Sequence, residues 1–291
     1  MVFNGVCTAL ITPFKESNVD YKSLKNIIEY QIESGIDSLL ILGTTGEGST
    51  LSLDEKKEII KFTIKEVNKR VPVMVGTGSN NTEEAIKMSQ YAEKEGADSL
   101  LVITPYYNKT TQKGLLAHFN EISKNVNTDI IVYNVPGRTG VNIEPETVKK
   151  LSEIPNIKGI KEASGNIGQI AEIISLVPKE FKVFSGSDES VIPTLSLGGA
   201  GTISVLSNIV PKEISEMVKS FFLGKSDNAR EIQLYYQPLI KILFSETNPI
   251  PIKKTMELCG YCENGIRLPL IDMEGENLDN LKKCLQKYKL I

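Results

Sequence analysis

The chain has 291 residues, 41% hydrophobic and 24% charged, a composition suited to a globular fold of one large domain or two ordinary ones with a substantial core. Its 33 Lys and Arg against 36 Asp and Glu leave a formal charge of -3, which gives no sequence-wide attraction to nucleic acid or an anionic membrane and favours small-molecule work. A single histidine disfavours Ser-His-Asp hydrolysis and histidine-rich metal catalysis, and no apolar run approaches the roughly 18 residues of a membrane span.

The opening segment MVFNGVCTALITPF lacks the basic and apolar regions of a secretory signal, so a cytoplasmic location is expected. It holds the first predicted strand, residues 6–10. An internal echo then organises the chain: SGIDSLLILGT, from Ser34, matches EGADSLLVITP, from Glu95, with a weaker third copy, LGGAGTISVLS, from Leu197. In the first two copies a glycine suited to ending a helix is followed by an aspartate and an apolar run suited to a strand buried on both faces. Counting such runs predicts strands at 38–42, 73–75, 99–103, 130–133, 157–161, 183–185 and 202–205. Amphipathic stretches such as DEKKEIIKFTIKEVNKR and NTEEAIKMSQYAEKEG separate them, each preceded by a plausible N-cap. His118, in the helical pattern GLLAHFNEI, reads as a packed or surface residue.

Strand-plus-helix units at this spacing suit a closed (β/α)8 TIM barrel over residues 1–224, with an open doubly wound sheet as the competing arrangement. After Pro211 the pattern is helical, and residues 225–291 read as a C-terminal helical extension packed on the barrel, its last helix starting near Leu278. Cys259 and Cys262 in CGYC have the spacing of a redox pair or half a zinc site, but the other half is missing and a structural placement is expected. GTTGEGS lacks a dinucleotide spacing, and in FFLGKSD Lys219 stands where a phosphate loop needs its first glycine. A nucleotide site is therefore disfavoured.

In a barrel, function concentrates at the carboxyl ends of the strands. GTTGEGS, TPYYNK, YNVPGRTG, KEASG and SGSD all follow predicted strands. Alternation along IKGIKEAS puts Gly159 and Lys161 on the inner face and Lys158 on the outer. A lysine amine attacks a carbonyl only when unprotonated, and an apolar barrel mouth favours that form by desolvation. Gly159 is expected to leave room for a substrate. The competing reading makes Lys161 half of an ion pair with a carboxylate such as Glu162 or Asp188. Tyr133, on the neighbouring strand, carries a phenol able to move protons, or is a rim aromatic. Arg138 offers a fork matched to a carboxylate, or is a solvated loop charge. The hydroxyls and N–H groups of Thr44 and Thr45 can hold a small carboxylate.

Taken together, GTTGE, YNVPGRT, IKGIKEASG and NPIPIK resemble the dihydrodipicolinate synthase family across essentially the whole chain. The resemblance implies a lyase of lysine and diaminopimelate biosynthesis, in which pyruvate forms a Schiff base with Lys161 and the derived enamine adds to L-aspartate 4-semialdehyde. It assigns a proton relay to Tyr133, Thr44 and Tyr107, the pyruvate carboxylate to Thr45, the semialdehyde carboxylate to Arg138, and pocket-lining backbone to Gly186 and Ile203. No metal or organic cofactor is implied. Tyr107 would reach into a neighbouring subunit, implying a homo-oligomer, most often a tetramer built as a dimer of dimers. The competing readings are another pyruvate-dependent lyase, acting on N-acetylneuraminate or a 2-keto-3-deoxy sugar acid, and a non-catalytic barrel that binds a keto acid.

Members inhibited by L-lysine bind it through positions corresponding to Ser49, Leu53, Lys56, Asn80, Glu84 and Tyr106. Leu53 lacks a polar group and Lys56 places a cation near a cationic ligand, so feedback inhibition is expected to be weak or absent. Steady-state assays should give no half-inhibition by sub-millimolar lysine.

Overall fold

The computed structural model describes residues 3–263 and 265–291; Met1, Val2 and Asn264 lie outside the described residues. Eight parallel strands form a closed barrel: β1 (Gly5–Ala9), β2 (Ser38–Ile41), β3 (Val73–Gly76), β4 (Ser99–Ile103), β5 (Asp129–Asn134), β6 (Ile157–Glu162), β7 (Lys182–Ser185) and β8 (Gly201–Ser204). Each strand neighbours the next in sequence and β8 returns to β1, which excludes the open doubly wound sheet. All residues of β1, β2 and β8 are buried, the pattern of strands covered on both faces.

Contacts divide the chain into two compact units, one of residues 72–203 with the segment before residue 6, the other of residues 6–71 with 204–291. Each contains one of the two stronger copies of the echo, and the aspartate does the same work in both. In the second unit Asp37 Oδ2 accepts the Val6 N–H at 2.9 Å while the Asp37 N–H donates to the Val6 carbonyl at 2.9 Å. In the first, Asp98 Oδ2 accepts the Val73 N–H at 2.8 Å and the Asp98 N–H donates to the Val73 carbonyl at 2.9 Å. The aspartate thus brackets one residue of the preceding strand with both arms. The weaker third copy has Ala200 at this position and keeps only the backbone arm, its N–H donating to the Val183 carbonyl at 2.8 Å.

Helix Leu53–Val67 opens on a capping box between Ser52 and Glu55, and helix Thr82–Glu95 on the side chain of Asn81. After β8 come helices Pro211–Phe222, Ser226–Leu243, Ile250–Leu258 and Gly275–Lys287. The last begins at Gly275, about a turn before the expected start, because its first turn is polar and carries no apolar periodicity. A short hairpin, Phe14–Lys15 with Asn18–Val19, escaped the sequence reading. Its turn residues Glu16 and Ser17 have φ of 48° and 68°, positions where Asn-Gly or Asp-Gly would have given a signal. No helix among the described residues is long and apolar enough to cross a membrane.

Replacing Asp37 with Ala should cost about 1–3 kcal/mol, since the Val6 N–H loses its acceptor, whereas Asp37→Asn keeps one and should cost less. Urea denaturation of both variants measures this.

Candidate active site

Lys161 is 6% exposed on β6, while Lys158, three residues earlier, is exposed. Its register partners are Tyr133 on β5 and Phe184 on β7, and its amine stands 4.5 Å from the centroid of the Tyr133 ring. Tyr133 itself is 7% exposed, so the body of its ring is packed in the fold beside Lys161. Among the described residues Lys161 takes part in no salt bridge. Glu162 is engaged elsewhere: it accepts hydrogen bonds from Asn134 Nδ2 at 2.8 Å, Gln169 Nε2 at 3.2 Å and the Ser164 N–H at 2.6 Å. The ion pairs that the sequence left open for Lys161 are therefore not formed.

The space at Gly159 is not substrate space. A Cβ there would stand 2.4 Å from the Lys182 carbonyl oxygen and 3.1 Å from Ile131 Cδ1, so the missing side chain admits the adjoining strand and a core isoleucine. Gly186 has the role nearer the amine. A Cβ at Gly186 would lie 3.1 Å from Lys161 Cε and 2.7 Å from Ala163 Cβ. Its N–H donates to the Glu162 carbonyl at 2.7 Å, which leaves its own carbonyl for any ligand. Ile203 is buried on β8.

Arg138 is exposed on the short helix Pro136–Thr139 that follows β5. Tyr107 is 92% exposed with φ of 70°, and the Asn108 N–H donates to the Tyr106 carbonyl at 2.9 Å, forming a γ-turn of the rare positive-φ form.

Thr44 and Thr45 belong to the loop after β2, in the unit of residues 6–71 and 204–291. Thr44 is half-buried, and its carbonyl accepts the Glu47 N–H at 3.1 Å. Thr45 is buried and its hydroxyl accepts from Asn248 Nδ2 at 3.0 Å. Two non-glycine residues flank this loop at positive φ, Leu42 at 57° and Glu47 at 50°. Such backbone persists only where the surroundings hold it. Here the buried Glu47 carboxylate pairs with Lys253 Nζ and accepts the Arg267 N–H at 3.1 Å. Lys253 Nζ and the Arg267 guanidinium lie 4.0 and 4.2 Å from the Phe14 ring centroid. Arg267 also forks onto Glu55 at 2.6 and 2.9 Å, holding that carboxyl down at about 2. Burial pushes the Lys253 amine below its ordinary range, and the Glu47 charge opposes the shift.

This cluster was missed from sequence, although GTTGE and NPIPIK carry its two ends; a lysine inside an apolar helix start was the available signal. With it, the buried lysines can be compared. Lys253 has Glu47, and Lys254 has Glu257 at 2.6 Å and Asp272 at 2.7 Å. Lys161 is the buried lysine without a carboxylate among the described residues.

Other sequence candidates settle into structural roles. Burial pushes the thiols of Cys259 and Cys262 up to about 11, so neither supplies thiolate near neutral pH, and among the described residues no cluster able to hold a metal ion is present. His118 is buried on helix Gln112–Lys124, with Nδ1 3.0 Å from the Thr82 hydroxyl.

The model of the dihydrodipicolinate synthetase family matches residues 2–288. This chain belongs to that family. A 4-hydroxy-tetrahydrodipicolinate synthase of Acetivibrio thermocellus is 53% identical over 290 residues, covering 100% of this chain and 99% of the relative. Among solved structures, a dihydrodipicolinate synthase variant described as monomeric superposes with a TM-score of 0.98 at 43% identity, covering 99% of this chain and 98% of the other. The chloride-inhibited enzyme of Acinetobacter baumannii, complexed with pyruvate, superposes with a TM-score of 0.97 at 41% identity, with both chains covered over 100%. The activity is that of a 4-hydroxy-tetrahydrodipicolinate synthase, a carbon–carbon bond-forming lyase of lysine and diaminopimelate biosynthesis.

Burial lowers the His118 imidazole from 6.5 to about 4, so the folded state resists a proton that the unfolded chain accepts. The stability this ring gives is complete above pH 6.5 and lost as pH falls through about 4, roughly 3 kcal/mol in all. The difference in unfolding free energy between wild type and His118→Asn should therefore change across this window and be flat above it, as read by urea titrations at stepped pH.

Proposed function

We propose that Lys161 is the nucleophile that makes this lyase work, forming a Schiff base with pyruvate and passing the resulting carbon nucleophile to L-aspartate 4-semialdehyde. The supporting observation is the contrast among the buried lysines: Lys161 alone has an aromatic face and no carboxylate beside it among the described residues. A neighbouring carboxylate would stabilise the ammonium form, which has no lone pair to attack with.

In this reading the amine adds to the ketone carbon of pyruvate and water leaves, giving a protonated imine. The methyl group then loses a proton, and its electron pair moves into the imine to form an enamine. The enamine carbon attacks the aldehyde of the semialdehyde, whose oxygen takes up a proton. The semialdehyde's own amine then adds to the imine carbon, closing the ring and expelling the Lys161 amine. The protonated imine is the electron sink, so the chemistry calls for no metal or organic cofactor.

Tyr133 carries protons to and from the lysine-bound carbon, with Thr44 and Tyr107 completing the relay. Thr45 receives the carboxylate of pyruvate, and Arg138 that of the semialdehyde. Gly186 and Ile203 line the pocket, Gly186 through its carbonyl because its N–H is committed to Glu162. Tyr107 acts in the site of a second copy; its exposure of 92% on a positive-φ turn supports that reading. A homo-oligomer, a tetramer arranged as a dimer of dimers, follows, working in the cytoplasm. Residues 1–224 make the catalytic barrel and 225–291 its helical extension.

Borohydride added with pyruvate should attach one carboxyethyl group to the peptide containing Lys161, and Lys161→Arg should abolish both trapping and turnover; trapping on another peptide would refute the assignment. Tyr133→Phe should lower kcat by about 10²-fold or more. Arg138→Ala should raise KM for the semialdehyde far more than for pyruvate. A fully active monomer in analytical ultracentrifugation would remove the role of Tyr107.

A further inference from the structure

A threonine hydroxyl has one proton to give and two lone pairs to offer, so whether Thr45 can bind an anion depends on which side its neighbours occupy. Asn248 Nδ2 donates to Thr45 Oγ1 at 3.0 Å, and both residues are buried, 6% and 3% exposed. Among the described residues this is the only hydrogen bond of the Thr45 side chain. An amide nitrogen cannot accept, so the hydroxyl proton is directed away from Asn248 and remains available. We infer that Asn248 is a positioning residue that fixes Thr45 as a hydrogen-bond donor toward a carboxylate, and that the Glu47–Lys253 pair holds the two in register.

The second half of that inference rests on how the contacts are spaced. Asn248 immediately precedes Pro249, the cap of helix Ile250–Leu258, and the Lys253 N–H donates to the Pro249 carbonyl at 2.9 Å. Lys253, on the first turns of that helix, pairs with Glu47, two residues beyond Thr45. The Gly46 carbonyl between them accepts the Thr12 hydroxyl at 2.7 Å. The loop after β2 is therefore pinned at three consecutive positions: through the side chain of Thr45, the backbone of Gly46 and the side chain of Glu47. Neither the loop nor the helix start can shift without breaking a buried polar contact and leaving a desolvated group unpaired. The inference rests on the reading of Thr45 as the site of the pyruvate carboxylate.

Asn248→Asp tests it, because the change is nearly isosteric but turns the donor into an acceptor that draws the Thr45 proton back. Its KM for pyruvate should rise about tenfold or more with kcat changed less than about threefold, the signature of lost ground-state binding. Asn248→Ala should raise the same KM several-fold in the wild-type background and leave it unchanged in Thr45→Val, a double-mutant cycle that a merely structural role would not close. Equal effects of Asn248→Ala in both backgrounds, or an unaltered KM in a folded Asn248→Asp protein, would overturn the inference. Should Asn248→Asp fail to fold, the Asn248→Ala cycle decides alone. Borohydride trapping at saturating pyruvate separates this from the reading beneath it: trapping intact in wild type and Asn248→Ala, with only the half-saturating pyruvate displaced in the variant, is expected, whereas no trapping in wild type would refute the Schiff-base reading itself.

Discussion

A cation buried in a protein is costly unless another group answers its charge, and the fate of the buried lysines follows from what the fold supplies. Lys253 and Lys254 receive carboxylates and become structural ties. Lys161 receives the face of Tyr133, which attracts an ammonium weakly and leaves an amine's lone pair accessible. Its position is set by the strand and not by a partner: β6 pairs with β5 and β7 on both sides, fixing Lys161 beside Tyr133 and Phe184. The neighbouring carboxylate is kept away by the same alternation. Glu162 turns to the other face of β6, where Asn134, Gln169 and the Ser164 N–H satisfy it. The rest of the proposed chemistry depends on that separation of neighbouring charges.

What the sequence revealed and what it hid divide along physical lines. Strands buried on both faces leave apolar runs, which made most barrel strands legible, whereas β6 carries Lys158 and Lys161 and was read by its alternation. The echo around Asp37 and Asp98 was visible as a pattern, but its cause, a carboxylate and an N–H bracketing the preceding strand, needed coordinates. The hairpin at Phe14 was hidden because its turn uses Glu16 and Ser17 at positive φ, which the usual turn residues would have announced.

For the site, residues read from local alternation fared better than roles read from residue size. Lys161 is inward and Lys158 outward, as the period of two requires. Gly159 was misjudged because a glycine marks a close approach without saying what approaches, and here it is the backbone of Lys182. The Glu47–Lys253 pair was unreadable for another reason. Its members are 206 residues apart, and pairing over such distances leaves no local periodicity to detect. The resemblance marked both ends as motifs without revealing that they meet.

That separation also sets an order of events during synthesis. The loop carrying Thr44 and Thr45 emerges from the ribosome within the first fifth of the chain, whereas Asn248, Lys253 and Arg267 emerge in the last fifth. Until then, Glu47 lacks the Lys253 and Arg267 partners that hold its left-handed backbone, and the nascent loop samples other conformations. The buried contact between Asn248 and Thr45 is thus among the last to form, although Thr45 is among the earliest residues translated.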